Sequence, residues 1–317
     1  MTLGTHATGY VGIAFEATYG TYVPPTRFFP IKSESLSEQF DNQKRRVIRG
    51  IADNLGFVAG WSHVEGDIQL EMLSDVLPYF MHVMRMDVIK TGAGPYVYTG
   101  TPAHYGSSAS LPVGKKGMSI TIVKNEEIFG FTGCVVSQLE IGVDTGIPQL
   151  KATILGRAEA LQALPTPTWL ATDVPFGAGL YSVEVPTAAQ VFDVADFTFT
   201  VNDNAEAQNR LMNNRYAQWV KFGQREVQLQ MERDFSTRAE LDAYKALTSQ
   251  SITVTMTKTV TDNVSVIMPV AVIDSYDMDG LSDQGQATMH RLTYEGVYDP
   301  ATSKSYSLVC KSITSIA

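Results

Sequence analysis

The sequence predicts a mainly β protein made of two tandem β-sandwich or partly open barrel units, each with one flanking α-helix. Three observations lead to this fold class. The chain has 317 residues, which suits two domains of about 150 residues each. Threonine, serine, valine, isoleucine and tyrosine are plentiful, which favours strands and turns. The same order of predicted elements also occurs twice, with a period of roughly 150 residues.

The repeat is clearest in a strand where apolar and polar residues alternate strictly. Residues 67–72 alternate in the first half, and residues 226–231 alternate in the same way in the second half. Alternation with a period of two indicates a strand with one buried and one solvated face. We therefore align Asp67 with Glu226.

Each alternating strand leads into a predicted helix. After Met72, apolar residues recur at steps of three and four through Met84. Ser74 is the expected N-cap, and Pro78 falls in the first turn, where its missing N–H costs little. In the second half, residues 237–240 have the sequence of a capping box and should open a short helix through Leu247.

Further strands follow each helix in the same order. The paired segments are 119–122 and 251–254, then 134–136 and 270–272, and finally 150–154 and 287–292. Acidic turns at 143–146 and 277–280 separate the last two strands of each half. This order predicts a first unit over 1–164, a linker rich in proline and glycine over 165–186, and a second unit over 187–317.

The two halves differ by one insertion. From Met72 to Ser119 the chain advances 47 positions, whereas from Met231 to Ser251 it advances 20. The difference of 27 residues falls at about 87–117 of the first half. We expect this insertion to form a long loop or an added hairpin on the surface.

Each half also has a long polar stretch ahead of its alternating strand, at 40–50 and at 202–210. These stretches are too polar for a core and too long for tight hairpins. We expect them to be extended loops that become ordered on meeting a partner.

The charge of the chain argues against several function classes. The formal net charge is −9, whereas a protein that binds duplex phosphates normally carries a basic surface. An acidic surface would instead repel nucleic acid that slides past it. No segment has the roughly 18 apolar residues of a membrane span, and the N-terminus lacks the pattern of a secretory signal. We expect no membrane association and a soluble cytoplasmic product.

Candidate chemical sites are weak. Cys134 and Cys310 are too few for a disulfide framework, and Cys134 lies in an apolar run that predicts a buried thiol. The tripeptide at 144–146 matches that of aspartic proteases, but that mechanism needs two such carboxylates and the second half lacks the match. The acidic cluster lacks the pattern of a calcium loop; its members are Asp274, Asp277, Asp279 and Asp283. The sequence predicts no enzyme, no metal and no cofactor.

Several segments of the first half occur in an informative order. Residues 12–26 come first, then a strand at 29–36, an arginine-containing loop, and the alternating strand at 64–71. In this combination the chain resembles the major tail (tail-tube) proteins of long-tailed bacteriophages. The likeness covers roughly the first 160 residues directly, and the second half through the internal repeat.

The resemblance implies tail-tube-type units whose inner sheets join into a β-lined channel for DNA. Six units form a ring, and rings stack into a tube. Two units per chain then imply a trimeric ring with pseudo-sixfold symmetry, with a hexamer as the alternative. The implied location is the virion, after assembly in the host cytoplasm. The implied partners are other copies of the chain, tape-measure, terminator and tip proteins, and phage DNA in transient, non-specific passage.

Two sets of residues are candidates for the assembly surfaces. The polar stretches would contact the next ring through Asp41, Lys44, Arg45, Arg46, Arg49, Asn204 and Arg210. The solvated faces of the alternating strands would line the channel through Asp67, Gln69, Glu71, Glu226, Gln228 and Gln230. These six residues could equally form only an outer solvated face of each sheet.

The alternative function is a β-sandwich binding module for a receptor or a carbohydrate on a virion or cell surface. Such a module should have an aromatic-lined groove, but Trp61, Trp169 and Trp219 are scattered along the sequence. Because Trp61 and Trp219 each precede an alternating strand, we expect both to pack in the core.

Overall fold

The computed structural model describes a protein that is mainly β, as the sequence predicts. The described residues are 9–45, 56–104, 117–124, 127–144, 146–162, 167–169, 174–177, 180–210, 214–279, 288–313 and 315.

The first half contains one helix among its described residues, α1 (Leu77–Val83). Its strands are β1 (Tyr10–Phe15), β2 (Arg27–Phe29), β3 (Ser33–Glu34), β4 (Ser37–Phe40), β5 (Gln43–Lys44), β6 (Phe57–Val58), β7 (Ser62–Glu71), β8 (Met86–Thr91), β9 (Tyr96–Pro102), β10 (Met118–Lys124), β11 (Glu127–Asp144), β12 (Ile147–Gly156) and β13 (Ala158–Leu161).

The second half likewise contains one described helix, α2 (Ala239–Lys245). Its strands are β14 (Tyr181–Glu184), β15 (Gln190–Val191), β16 (Val194–Asn202), β17 (Glu206–Gln208), β18 (Trp219–Lys221), β19 (Glu226–Asp234), β20 (Gln250–Thr259), β21 (Asp262–Met278), β22 (Met289–Gly296) and β23 (Ser307–Ser312).

One long sheet runs through both halves. Its antiparallel strands follow the order β4, β7, β12, β11, β16, β19, β22, β21, and β3 continues the line of β4 along β7. The first four strands come from the first half and the last four from the second. Each half therefore contributes the same four-stranded arrangement to the long sheet.

A second sheet lies against the long sheet in each half. The first facing sheet has the order β2, β1, β10, β11, β13. The second has the order β15, β14, β20, β21, β23, β9, β8. β11 and β21 belong to both sheets of their half, because each is long and its register shifts at a β-bulge that bends the strand.

The core is continuous between the halves. At the junction of β11 with β16, Leu139 pairs with Val201 and Ile141 with Phe199. All four side chains are fully buried and belong to one apolar cluster that includes residues of both halves. Burying each such side chain contributes about 1.5–3 kcal/mol. The two units are thus joined by shared core as well as by the chain.

The helix α1 is enclosed by the core, which differs from the predicted flanking position. Phe80 and Met81 are fully buried, and the ring of Tyr79 packs on those of Phe15 and Phe29. The prediction that Ser74 caps this helix is wrong: the N-cap is Val76, which makes no side-chain capping bond. Pro78 does lie in the first turn.

The helix α2 lies on the surface, and none of its residues is fully buried. The predicted capping box is absent: the N-cap is Arg238, whose side chain makes no capping bond, and the hydroxyl of Thr237 accepts from the N–H of Ala239 instead of that of Glu240. The helix ends at Lys245 instead of continuing through Leu247, whose φ of 49° lies in the left-handed region that an α-helix excludes.

The insertion of the first half forms a hairpin, one of the two predicted forms. β8 has most of its residues exposed, as expected for the surface, whereas β9 is built into the second facing sheet. β8 and β9 pair with each other, and β9 also pairs with β23 of the second half. Tyr98 of β9 is fully buried. The remaining inserted residues, 105–116, lie outside the described part of the chain.

Part of the predicted linker is packed structure. Strand β14 pairs with β20 of the second facing sheet, and Phe176 is buried. The pairing therefore places β14 in the second facing sheet. The sequence pattern missed them because β14 spans only four residues and its apolar alternation is too brief to detect.

The two polar stretches form short two-stranded ribbons where they are described, instead of the expected extended loops. We call β5 with β6 the first arm and β17 with β18 the second arm. Trp219 of the second arm is 46% exposed, so its predicted place in the core is wrong. Trp61, which follows the first arm, is only partly buried.

Candidate assembly surfaces

The six residues predicted to line a channel lie together on one face of the long sheet. In β7 the side chains of Ile68 and Leu70 are buried, so those of the alternate residues point to the opposite face. The same holds in β19, where Val227 and Leu229 are buried. We call this surface the polar face; its predicted members are Asp67, Gln69, Glu71, Glu226, Gln228 and Gln230.

The polar face continues across the junction of the halves. Cross-strand neighbours follow one another from Gln69 to Lys151, to Glu140, to Thr200 and to Gln228. Polar residues thus form an unbroken row from β7 to β19. The pattern follows from the alternation of each strand, kept in step by the antiparallel pairing.

Carboxylates outnumber cationic groups on the polar face. Its described acidic residues include Asp67, Glu71, Glu140, Glu226, Glu232 and Glu295, whereas Lys151 and Arg291 are its described basic residues. Lys151 lies 3.3 Å from a carboxylate oxygen of Asp67, and Arg291 lies 2.8 Å from one of Glu232. The remaining carboxylates give the face a negative charge.

A buried ionic network holds the two halves together. The carboxylate of Asp203, fully buried after β16, lies 2.6 Å from Nε of Arg225 and 3.6 Å from a guanidinium nitrogen of Arg85. Arg85 follows α1 in the first half and also donates to the carbonyl of Gly223. No sequence motif singled out these residues, because they meet only when the halves pair.

The second arm lies against the first half. Val220 and Phe222 pack on Val135 and Leu155 in a small apolar cluster of their own. The guanidinium of Arg85 lies over the ring of Phe222, 6.0 Å from its centre. Apolar contact therefore fixes the base of the second arm within the chain.

Residues beyond the second arm's base extend farther across the first half. Backbone hydrogen bonds join Ser62 at the start of β7 to Arg215 and Ala217. The guanidinium of Arg215 lies 4.6 Å from the ring centre of Phe40. The second arm thus reaches from β16 to the far strands of the first half.

Within the described part of the chain, the first arm is covered far less. Phe57 is 65% exposed and Val58 is 50% exposed. The ammonium of Lys44 lies 5.8 Å from the ring centre of Phe57, so the arm presents an apolar ring beside a cation.

The described residues among those predicted for inter-ring contact lie on or beside the two arms. Asp41, Lys44 and Arg45 are exposed, whereas Arg46 and Arg49 lie outside the described residues. Asn204 is at the base of the second arm, where its amide donates to Gln224 and Glu226. Arg210 stacks over Trp219 at 5.3 Å. Both arms leave the long sheet at the same end of its strands.

The long sheet has two open edges. In the described part of the chain, β4 pairs only with β7, and residues 273–278 of β21 pair only with β22. Unpaired edges expose backbone donors and acceptors that can pair with another chain. β4 holds the place in the first half that β16 holds in the second, and β21 corresponds to β11.

The chain's sequence matches a family described as "Phage tail tube protein" over residues 7–296, which is most of its length. The chain belongs to the phage tail tube protein family. No curated protein matches it. The resemblance drawn from the first half of the sequence is confirmed, and with it the structural role in the tail tube.

Family membership fixes the general role of this tail tube protein. It is a component of the virion tail that self-assembles into stacked rings and works with other tail proteins. A structural family indicates a non-enzymatic protein. Nothing in the match supports the alternative of a receptor-binding or carbohydrate-binding module.

The titratable groups of the tail tube protein fit a structural role. Cys134 is buried, as predicted, and burial raises the pKa of its thiol well above the usual value. Burial also raises the pKa of Glu16, although its carboxylate accepts hydrogen bonds from Gly133, Gly20 and Ser119 that act in the opposite direction. These bonds tie the β1 strand to β10 and β11.

Two absences can be stated for the described residues of the tail tube protein. They hold no group of three or more histidine, cysteine or acidic side chains arranged for a metal. Of the acidic cluster, Asp283 lies outside the described residues. In the same part of the chain, neither helix is long and apolar enough to cross a membrane.

Proposed function

We propose that three copies of this tail tube protein close each ring through the open edges of the long sheet. The observation that carries the proposal is the pairing of β11 with β16 inside the chain. The unpaired edge of β21 corresponds to β11, and the unpaired edge of β4 corresponds to β16. Joining them between copies would repeat the internal junction and leave no open edge.

The internal junction predicts the register of this contact. Both β11 and β21 carry a bulge, at Ser137 and at Asp274 respectively, so Gln138 corresponds to Ser275. On the other side, Val227 of β19 holds the place that Val64 holds in β7. Asn202 pairs with Glu226 and Gln39 pairs with His63, and each of these partners directly precedes its valine. Asn202 therefore corresponds to Gln39. Since Gln138 pairs with Asn202, Ser275 should pair with Gln39 of the next copy.

Three copies would bring six units and, with eight strands from each copy, a closed wall of twenty-four strands. Strands lie about 4.8 Å apart, which gives a diameter of at least roughly 37 Å before any strand tilt widens it. A barrel of this size has an aqueous lumen. We infer that the polar face lines it, because its surplus carboxylates would repel DNA phosphates and reduce adhesion during passage.

The arms would mediate stacking. All six arms of a trimeric ring would project from the same end of the wall, since both arms leave the long sheet at one end of its strands. Contact of this end with the opposite end of the next ring is head-to-tail and propagates into a tube. The remaining parts of the proposal are assembly in the host cytoplasm and contacts with tape-measure, terminator and tip proteins.

Cysteine cross-linking combined with imaging tests the ring. The variant Gln39→Cys with Ser275→Cys places two thiols in directly paired positions, where a disulfide can form. The control, Ser37→Cys with Ser275→Cys, is displaced diagonally by roughly 7–8 Å. Cys134 and Cys310 are buried and should not compete.

We expect oxidation of the first variant, and not of the control, to give covalent trimers on a denaturing gel. Averaged images down the tube axis should show three chains per ring with pseudo-sixfold symmetry. Covalent hexamers or six chains per ring would support the hexameric alternative instead. Equal cross-linking of both variants would contradict the proposed register.

A further inference from the structure

A groove beside α2 is the unfilled counterpart of the contact that the second arm makes inside the chain. It has a volume of about 680 Å³ and lies next to the open edge of β21. Its lining includes Tyr244, Leu247, Val272, Ile273, Glu295 and Val297. Leu247 is 69% exposed and Val297 is 42% exposed, so this edge of the molecule presents apolar surface.

The groove corresponds in position to the surface that the second arm covers. Val136 and Ile273 directly precede the equivalent bulges of β11 and β21, so Val135 corresponds to Val272. Gly156 and Gly296 end the neighbouring strands β12 and β22, so Leu155 corresponds to Glu295. Val135 and Leu155 are the residues that Val220 and Phe222 cover.

The two arms also correspond residue by residue. In the second arm Glu206 pairs with Lys221 and Ala207 with Val220. In the first arm Gln43 pairs with Val58 and Lys44 with Phe57. Each arm is followed by a glycine that lies against a backbone carbonyl oxygen. A Cβ added to Gly223 would lie 2.8 Å from the carbonyl oxygen of Asn204, and a Cβ added to Gly60 would lie only 1.5 Å from that of Asp41. Phe57 therefore holds the place of Val220.

We propose that the groove beside α2 receives the first arm of a second copy, with Phe57 against Val272 and Leu247. The inference rests on the proposed ring. The contact is separate from the pairing of the strand edges. It joins the groove and the first arm, two surfaces that are both exposed in a single chain. Val220, the equivalent of Phe57, is only 5% exposed, whereas Phe57 is 65% exposed.

Charge supports the same occupant. Lys44 and Arg45 lie on the first arm. The groove is lined by the carboxylates of Asp274 and Glu295 together with the ammonium of Lys245, so its surplus charge is negative. Opposite charges on two docking surfaces favour their encounter and suppress wrong partners.

The chain's own first arm cannot fill its own groove. β4 and β21 are at opposite ends of the long sheet, seven strand spacings apart, or roughly 34 Å at about 4.8 Å per spacing. Phe57 is five residues from the start of β7 at Ser62, and five extended residues span at most about 18 Å. The occupant must come from another copy, in a head-to-tail arrangement that closes into a ring.

Two variants with one defective surface each test the contact. Phe57→Glu replaces the apolar contact of the first arm with a charge and leaves the groove unchanged. Val272→Glu places a charge in the groove and leaves the first arm unchanged. Leu247→Glu, at a more exposed position, is a second groove variant in case Val272→Glu lowers the Tm. Val260→Glu is the matched control, because Val260 is 82% exposed in the turn between β20 and β21, outside both surfaces.

We expect each single variant to remain folded and to shift from the ring to the monomer in sedimentation. An equimolar mixture of Phe57→Glu with a groove variant retains one intact contact, so it should form one-to-one complexes and no rings. Val260→Glu should assemble like the unchanged protein. Normal rings from the single variants, or no complex in the mixture, would overturn this contact while leaving the ring proposal standing. If the unchanged protein formed no trimeric ring, both proposals would fail.

Discussion

The two halves of the chain have equivalent strand orders but differ in what covers them. In the first half, α1 is enclosed by the core and by the hairpin of β8 and β9. In the second half, α2 lies on the surface with no fully buried residue. For the arms, the covered element belongs to the second half: the second arm packs on the first half, whereas the first arm is exposed. Each uncovered surface has a covered counterpart within the same chain, which indicates what kind of surface should cover it.

The largest expected effect tests the difference between the helices. Phe80→Ala in α1 removes a fully buried side chain and should lower the free energy of unfolding by about 3–5 kcal/mol. Tyr244→Ala in α2 should cost much less in the dissociated chain, because Tyr244 is only partly buried. Denaturant unfolding at low protein concentration measures both. Equal losses would show that α2 is as much a part of the core as α1.

A somewhat smaller loss is expected at the junction of the halves. Asp203→Asn leaves the guanidinium groups of Arg85 and Arg225 without their buried carboxylate and should cost about 3 kcal/mol. Asp242→Asn is the matched control, since Asp242 pairs with Arg238 at 3.1 Å on the exposed surface of α2, where such pairs contribute about 0.3–0.5 kcal/mol. Similar losses from the two variants would contradict the role assigned to the network.

A pH-dependent change in the free energy of unfolding is expected from one buried histidine. His290 is 1% exposed, and burial lowers its pKa from the ordinary 6.5; Arg233 adds to the lowering, while Glu240 and Asp193 oppose it. The stability that this residue contributes is therefore complete above pH 6.5 and is lost as the pH falls through the lowered pKa.

The variant His290→Gln cannot acquire this charge. We expect its unfolding free energy to fall less than that of the unchanged protein between about pH 7 and pH 5. Glu16 titrates with the opposite sign and is present in both proteins, so the difference between the two curves isolates His290. Parallel curves would contradict the prediction.

The smallest effect on folding is expected at the arms. Arg210→Glu reverses one exposed charge on the second arm and should change the unfolding free energy by no more than about 1 kcal/mol. The yield of stacked tubes, counted in negative-stain images, should nevertheless fall while single rings persist. A shift in unfolding without a change in tube yield would remove the second arm from the proposed stacking surface.

The alternation of β7 and β19 was sufficient to predict which residues share the polar face, because a strand places every second side chain on the same side. It was not sufficient to align the halves. The pairings place Asp67 opposite Thr153 and Gln230 opposite Thr293, so Gln230, not Glu226, holds the place of Asp67. A pattern that repeats every two residues fits several registers equally well, and only the neighbouring strands distinguish them.

By itself, the sequence determined the β class, the duplication, the two helices and the family, because these follow from local periodicity and from the order of segments along the chain. The tertiary structure decided the junction of β11 with β16, the network of Asp203 with Arg85 and Arg225, and the insertion of β9 beside β23. Each of these joins residues far apart in sequence, and their contact energies depend on burial and register, which no local pattern records. The covered second arm and the exposed first arm have similar polar sequences, and only packing distinguishes them.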